Sequence, residues 1–193
     1  MGCIESSTNM ESGAEHKEES AATGERKDHK VFETAWFSIE ALTLPASVEP
    51  YYRISCKDAV SILAITPDER IVVIRQYRHA IGDFIYELPS GYVDEGESPL
   101  NAAVRELAEE TGFACQDMTS LGSLRAMPSR INNNLHFFFG KDANQVQRQL
   151  EEDRGVEVLL IKSGELKSMI REGAYNDMSG MALVFLAQLH GYV

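Results

Sequence analysis

The segment GYVDEGESPLNAAVRELAEETGF, residues 91–113, sets six carboxylates and a glycine-rich turn within twenty-three residues. Ser98 followed by Pro99 is the signature of a helix N-cap and first helical position, and Gly112 that of a C-terminal stop. Between them Leu100, Ala103, Val104, Leu107 and Ala108 keep the i, i+3, i+4, i+7, i+8 spacing expected of a core-facing stripe. Glu106 and Glu110 are four apart and Glu109 is three from Glu106, so the three carboxylates lie close together on the helix. Like charges so placed repel, and a hard divalent cation is the partner that neutralises them. The plainer alternative is a solvated acidic face.

At 193 residues the chain fits one domain with a tail. Its 44% apolar and 25% charged content is that of an ordinary soluble globular protein. A formal net charge of −12 leaves no basic surplus to displace counterions, which argues against nucleic acid as the main partner. An acidic chain still binds phosphates where a metal and a few Arg residues reverse the sign locally. Cys3, Cys56 and Cys115 share no metal-ligand spacing and point to free thiols in a reducing compartment, with a cytoplasmic location the expectation. No apolar run reaches the roughly 18 to 20 residues of a membrane span, and the N-terminus lacks the apolar region of a secretory signal.

Residues 1–30 are rich in Glu, Ser and Lys and carry no aromatic residue, so a disordered tail is expected ahead of a domain at 31–193. The first residues, MGCIESS, fit M-G-x-x-x-[ST] through Gly2 and Ser6, and Cys3 is placed to take a second acyl chain. Two acyl chains hold a protein on a membrane where one is marginal, so acylation of Gly2 and Cys3 would give membrane association. The alternative is an ordinary polar tail.

Val31 to Leu44 reads as one or two strands ending at Pro45, with Trp36 expected in the core. Tyr51–Cys56 and Ala59–Ile65 follow as strands, Pro67-Asp68-Glu69 as a turn, and Ile71–Ile74 as the returning arm of a hairpin. That arm is apolar throughout, so burial on both faces is expected. Just after it, Arg75-Gln76-Tyr77-Arg78-His79 clusters cations in an acidic chain; Arg grips phosphate bidentately, or else pairs with the acids of 91–113. His79 reads as structural. Beyond the helix, strands at Leu121–Met127 and Leu135–Phe139 flank the polar loop Pro128-Ser129-Arg130-Ile131-Asn132-Asn133-Asn134, a composition suited to a substrate edge. Arg130 fits either a phosphate contact or loop closure, and Phe137, Phe138 and Phe139 read as core. The polar run 141–155 carries Glu151, Glu152 and Asp153 before a strand at Val156–Ile161. A helix at Ser163–Glu172 capped by Gly173 and a longer one at Asp177–His190 close the chain, the latter with Met181, Leu183, Val184, Phe185, Leu186 and Leu189 as its apolar face.

Read as a pattern, residues 91–113 are G-x5-E-x7-R-E-U-x-E-E-x-G-U, with U apolar; Gly91, Glu97, Arg105, Glu106, Leu107, Glu109, Glu110, Gly112 and Phe113 fill all nine fixed places. This resembles the box of the Nudix hydrolases. The Gln76-Tyr77-Arg78 run and Leu88-Pro89-Ser90-Gly91 look like the ADP-ribose pyrophosphatase branch, as does Pro128 at fifteen residues beyond Phe113. The resemblance implies an α/β/α sandwich with a mixed sheet over roughly 31–190, and hydrolysis of a nucleoside diphosphate linked to another group. It also implies Mg2+, or Mn2+ in its place, held by Glu106, Glu110, the Ser90 carbonyl and Glu109. Arg78 would contact the substrate, and Pro128 would mark its edge; Arg130 is a substrate-edge candidate from the loop's composition and not from the resemblance. The water-activating Glu would be Glu152, with Glu151 as rival and Glu109 the candidate within the box; Arg105 would pair with Glu97 or Glu109. A homodimer through residues 31–55 is implied too. Ser129-Arg130 and three Asn stand where many such enzymes carry Gly and then an acid, and Arg154 stands where a later metal-touching Glu is common, so the sugar preference stays open.

A diphosphate is a poor electrophile because its oxygens are charged, so cleavage needs cations across it, a positioned water and a stabilised leaving group. For ADP-ribose the products would be AMP and ribose 5-phosphate. The alternatives are a hydrolase of another substrate (GDP-mannose, UDP-glucose, a dinucleotide) and a non-catalytic nucleotide sensor.

Overall fold

The computed structural model describes residues 29–45, 47–146 and 155–193. Along them run β1 (His29–Glu33), β2 (Phe37–Leu42), β3 (Tyr51–Cys56), β4 (Ala59–Ala64), β5 (Arg70–Arg78), β6 (Asp83–Glu87) and β7 (Ser90–Tyr92). Then follow α1 (Pro99–Thr111), β8 (Phe113–Ala114), β9 (Met118–Leu124), β10 (Leu135–Gly140), β11 (Asn144–Gln145), β12 (Glu157–Lys162), α2 (Ser163–Glu172) and α3 (Met178–Leu189). The acylation motif at Gly2 and Cys3 and the loop acids Glu151, Glu152 and Asp153 lie outside the described residues. β1 takes in His29 and Lys30, which the sequence alone assigns to the tail.

β4 is a central strand, parallel to β10 and antiparallel to β7, in the order β7-β4-β10-β9. With both edges of β4 taken, β5 cannot pair along it. The expected hairpin therefore survives only at its turn, where Glu69 adopts φ 61° and an isolated bridge joins Ile65 to Ile71. β5 instead forms an antiparallel sheet, β12-β5-β6, and runs on through Arg78, so the basic cluster lies within the strand and not after it. Its Ile71–Ile74 run is buried on both faces, as expected.

Alternation along these strands divides the apolar residues between two cores. Leu63, Ile71, Val73, Phe137 and Phe139 pack with Leu166 of α2 and Leu183, Val184 and Ala187 of α3. Val60, Ile62, Val72 and Phe138 pack with Ala102, Ala103 and Leu107 of α1. Helices thus cover both sides of the sheets, giving the expected α/β/α sandwich with a mixed sheet.

Three burial expectations are corrected. In α1 the sheet-facing set is Ala102, Ala103, Glu106, Leu107, Glu110 and Thr111, while Leu100 and Val104 are 44% and 42% exposed. Small alanines let the helix approach the sheet closely, and its carboxylates find partners there. In α3 the buried residues are Gly180, Leu183, Val184 and Ala187; Phe185 and Leu189 face outward. Gly180 is needed for that approach, because a Cβ there would meet the hydroxyl of Tyr175, itself 1% exposed. Trp36 is 67% exposed. It lies in a tight turn closed by Trp36 and Phe37 N–H groups donating to Thr34 Oγ1 at 3.1 and 3.0 Å, which directs it away from the sheet. Val31 and Phe32 of β1 are exposed as well.

Candidate active site

α1 is fixed at both ends by local chemistry. Ser98 Oγ accepts from the Asn101 N–H at 3.2 Å, Pro99 opens the first turn, and Gly112 ends the helix at φ 72°. The helix phase then turns Glu106 and Glu110, 7% and 8% exposed, towards β7. The Ser90 N–H donates to Glu110 Oε2 at 2.9 Å. Glu106 lies against the Gly91 backbone so closely that a Cβ at 91 would fall 2.0 Å from Glu106 Cδ. Glycine is required here by close approach. Along this segment the Pro89 carbonyl and Val93 N–H bond to β4 and Asp58, while the Ser90 N–H and Tyr92 carbonyl face α1. An extended residue sends its N–H and C=O to the same side, which puts the Ser90 carbonyl on the α1 side as well.

Arg105 ties the glycine-rich loop to the helix. It donates to both Glu97 oxygens at 3.1 and 2.9 Å, to Glu106 Oε1 at 2.7 Å, to Glu109 Oε2 at 3.2 Å and to the Tyr92 carbonyl at 3.0 Å. The Glu97 hydrogen bonds are the main cause that raises the Arg105 pKa, and they hold the Glu97 carboxyl below its ordinary value. Both expected pairings of Arg105, with Glu97 and with Glu109, are present, and Glu106 is added.

One guanidinium thus faces Glu97, Glu106 and Glu109, with Glu110 beside them. Among the described residues no three His, Cys, Asp or Glu side chains surround one point closely enough to hold a metal as they stand. The donor set nonetheless fits a hard divalent cation: all oxygen and rich in carboxylate, with Glu106 and Glu110 buried against the Ser90–Gly91 backbone.

Arg78 is placed by structure. Its Nε and Nη2 each lie 2.9 Å from Glu87 Oε2, and Gln76 Nε2 donates to the same oxygen at 2.8 Å. Its partner is therefore a buried acid of β6, not an acid of the 91–113 stretch. Arg75, on the opposite face of β5, pairs with Glu157 at 3.4 Å and stacks on Phe84 at 4.4 Å. His79 packs edge-on against Tyr77.

Pro128 and Arg130 line a cavity of about 350 Å³ shared with Leu42, Tyr51, Arg53 and Arg125. The Arg130 guanidinium lies 4.7 Å above the Tyr51 ring, and Arg53 pairs with Glu40 at 2.7 Å. Tyr51, Arg53 and Arg125 were not singled out from sequence. Three arginines on one cavity of a chain of net charge −12 is the signal, but it shows only once β3 is placed beside the 125–132 loop.

A NUDIX domain family model matches residues 55–170. The chain is 32% identical over 133 residues to a methanol dehydrogenase activator of Bacillus methanolicus, covering 68% of this chain and 72% of that one. It is 30% identical over 131 residues to an ADP-ribose pyrophosphatase of Bacillus subtilis, covering 66% and 71%. A crystal structure of an ADP compounds hydrolase shares the fold with a TM-score of 0.74 at 23% identity, covering 90% of this chain and 100% of that one. The matched span takes in the carboxylate helix and the Gly91 backbone it packs on, and this chain belongs to the Nudix hydrolase family.

Proposed function

We propose that this Nudix hydrolase cleaves the diphosphate of ADP-ribose or a related nucleoside diphosphate sugar, with Mg2+, to a nucleoside monophosphate and a sugar phosphate. The observation that carries the reading is the buried pair Glu106 and Glu110 packed on the Ser90–Gly91 backbone. The Bacillus subtilis relative named an ADP-ribose pyrophosphatase supports the substrate class.

Glu106, Glu110, the Ser90 carbonyl and Glu109 would hold the cation. Bound there, Mg2+ supplies positive charge to the diphosphate oxygens and a Lewis acid for water. Arg105 keeps the glycine-rich loop against α1, so the Ser90–Gly91 backbone stays beside the carboxylates. Water adds through oxygen to one phosphorus, the P–O bond of the anhydride breaks, and the departing phosphate leaves as an anion. Glu152, with Glu151 as the rival, takes the proton from water. Glu109, exposed and bonded to Arg105, is the candidate base within the box. Arg78, held by Glu87, would steady the phosphates, and Pro128 and Arg130, which line one cavity, would edge the substrate, Arg130 as a phosphate contact or as the closure of its loop.

The test is a panel of ADP-ribose, ADP-glucose, UDP-glucose, GDP-mannose and a dinucleoside diphosphate with Mg2+, read as phosphate released by a coupled phosphatase. ADP-linked sugars are expected to give the highest kcat/KM. A preference of tenfold or more for a UDP or GDP compound would overturn the ADP-sugar reading, and turnover of none would overturn the whole.

A further inference from the structure

The loop that carries Pro128 and Arg130 has no buried residue between Arg125 and Asn134. Apolar packing therefore does not place it, and its position rests on hydrogen bonds. The Tyr51 hydroxyl donates to the Ser129 carbonyl and Arg125 to the Asn132 carbonyl, and the three asparagines add a run of bonds in sequence. Asn132 Nδ2 donates to Ser55 Oγ at 3.0 Å and Asn133 Nδ2 to the Lys57 carbonyl at 3.2 Å. Asn134 donates twice to the Asp58 carboxylate, from its N–H to Oδ1 at 2.7 Å and from Nδ2 to Oδ2 at 2.9 Å. His136 Nε2 lies 3.1 Å from the same Oδ2. Above these rungs, Ile54 and the loop pair as a short parallel bridge, with Ile54 N–H to the Arg130 carbonyl at 2.7 Å.

Asp58 is the charged acceptor among these rungs, and a hydrogen bond to a carboxylate is roughly twice as strong as a neutral one. Burial alone would raise its pKa, but the Asn134 and His136 hydrogen bonds outweigh it and hold the carboxyl below its ordinary value. The residue also faces the box. The Asp58 carbonyl accepts from the Val93 N–H at 2.9 Å, and neighbouring Lys57 pairs with Asp94 at 2.8 Å. Asp94 in turn bonds through its N–H to Glu97, the carboxylate gripped by Arg105. The Lys57–Asp58 turn thus touches the metal-box loop through backbone and Lys57, and the cavity loop through the Asp58 side chain.

We propose that Asp58 is a positioning residue: through Asn134 it fixes the Pro128–Arg130 edge of the cavity relative to the box. The functional half rests on the reading that this edge borders the substrate. Misplacing a binding group by about 1 Å costs on the order of 10²-fold, so a carboxylate that sets such a placement leaves a kinetic trace.

Asp58→Ala removes the side-chain acceptors and leaves the Val93 bond, which uses the backbone. In the full chain with ADP-ribose and Mg2+, it is expected to raise KM by about tenfold with kcat within about twofold of wild type. Asp58→Asn, which keeps one acceptor for the Asn134 N–H, should recover part of the loss. Asp58→Ala should also lower the unfolding temperature, and in an Arg130→Gln background that fall should persist while the KM effect shrinks below about twofold. Independent KM effects in the double variant, or a kcat loss as large as the loss in kcat/KM, would overturn the proposal. Amide hydrogen exchange gives an arm that needs no substrate. Asp58→Ala should expose amides of 125–134 and leave those of 99–111 as in wild type; unchanged exchange at 125–134, or a rise throughout, would overturn it. Should wild type turn over no nucleoside diphosphate sugar, the proposed function fails, and the exchange arm still decides whether Asp58 places the loop.

Discussion

Glu110→Gln is expected to lower kcat/KM on ADP-ribose by about 10³-fold, while without divalent ions the variant unfolds no earlier than wild type. The amide oxygen of Gln can still accept from the Ser90 N–H, the 2.9 Å bond that seats this side chain on β7. The substitution therefore removes a charge and keeps the fit. Among the described residues that charge is crowded by its own kind: Glu110 is 8% exposed and lies beside Glu97, Glu106 and Glu109, the three carboxylates that Arg105 faces. Adding Mg2+ should reverse the order, because a ligand that binds only the folded state raises stability in proportion to ln(1 + [L]/Kd). Wild type should gain unfolding temperature with Mg2+ and Glu110→Gln should gain little. Calorimetric scans with and without Mg2+ measure this. An equal Mg2+ gain in both proteins, with equal activity, would remove Glu110 from the metal set.

Gly91→Ala should cost about 10²-fold in kcat/KM or more, through a single methyl group. The new Cβ would fall 2.0 Å from Glu106 Cδ and 2.2 and 2.4 Å from its two oxygens. One side must yield. β7 is held to β4 through the Val60–Gly91 and Ser61–Ser90 pairs, so the carboxylate is the group that moves. Its displacement also disturbs the 2.7 Å bond from Arg105, and with it the seat of the glycine-rich loop. The fold should survive, because the clash is with a side-chain end and not with backbone. Steady-state kinetics together with circular dichroism separate the two effects, and a Gly91→Ala variant as active as wild type would show that Glu106 need not lie where it does.

The parts of this arrangement that were legible in the sequence are the local ones. Ser98, Pro99 and Gly112 mark α1 because capping is decided within a turn of the helix end, and the nine fixed positions of the box identify the family without reference to packing. The helix phase was not legible. Apolar spacing through Leu100 and Val104 describes a good amphipathic face, and the chain buries the neighbouring one because the Ser90 N–H, Arg105 and Gly91 make room for two carboxylates there. Those partners come from β7 and the glycine-rich loop, outside the helix pattern. The β4–β5 hairpin failed for a similar reason: Pro89 and β7, which follow β6, take the edge of β4 on which the Ile65–Ile71 bridge lies and which β5 would need.

The substrate side followed the same rule. Arg78 was visible as a cation near the end of an apolar run, but its partner Glu87 appears only when β5 and β6 pair. Pro128 and Arg130 stood out by position, while the three asparagines after them read as a departure from the family pattern. In the structure they are the rungs that hold the loop to β3 and Asp58. Such side-chain bonds across long sequence separations carry no periodicity, so no local pattern announces them.

Carboxylates of α1 seated on Ser90 and Gly91 are proposed to make a cation-dependent diphosphate hydrolase. The most direct measurement is chromatography of the products formed from ADP-ribose by the full chain, with Mg2+ and with a chelator in its place. AMP and ribose 5-phosphate are expected in equal amounts with Mg2+, and intact ADP-ribose with the chelator. Equal product formation under both conditions would contradict it.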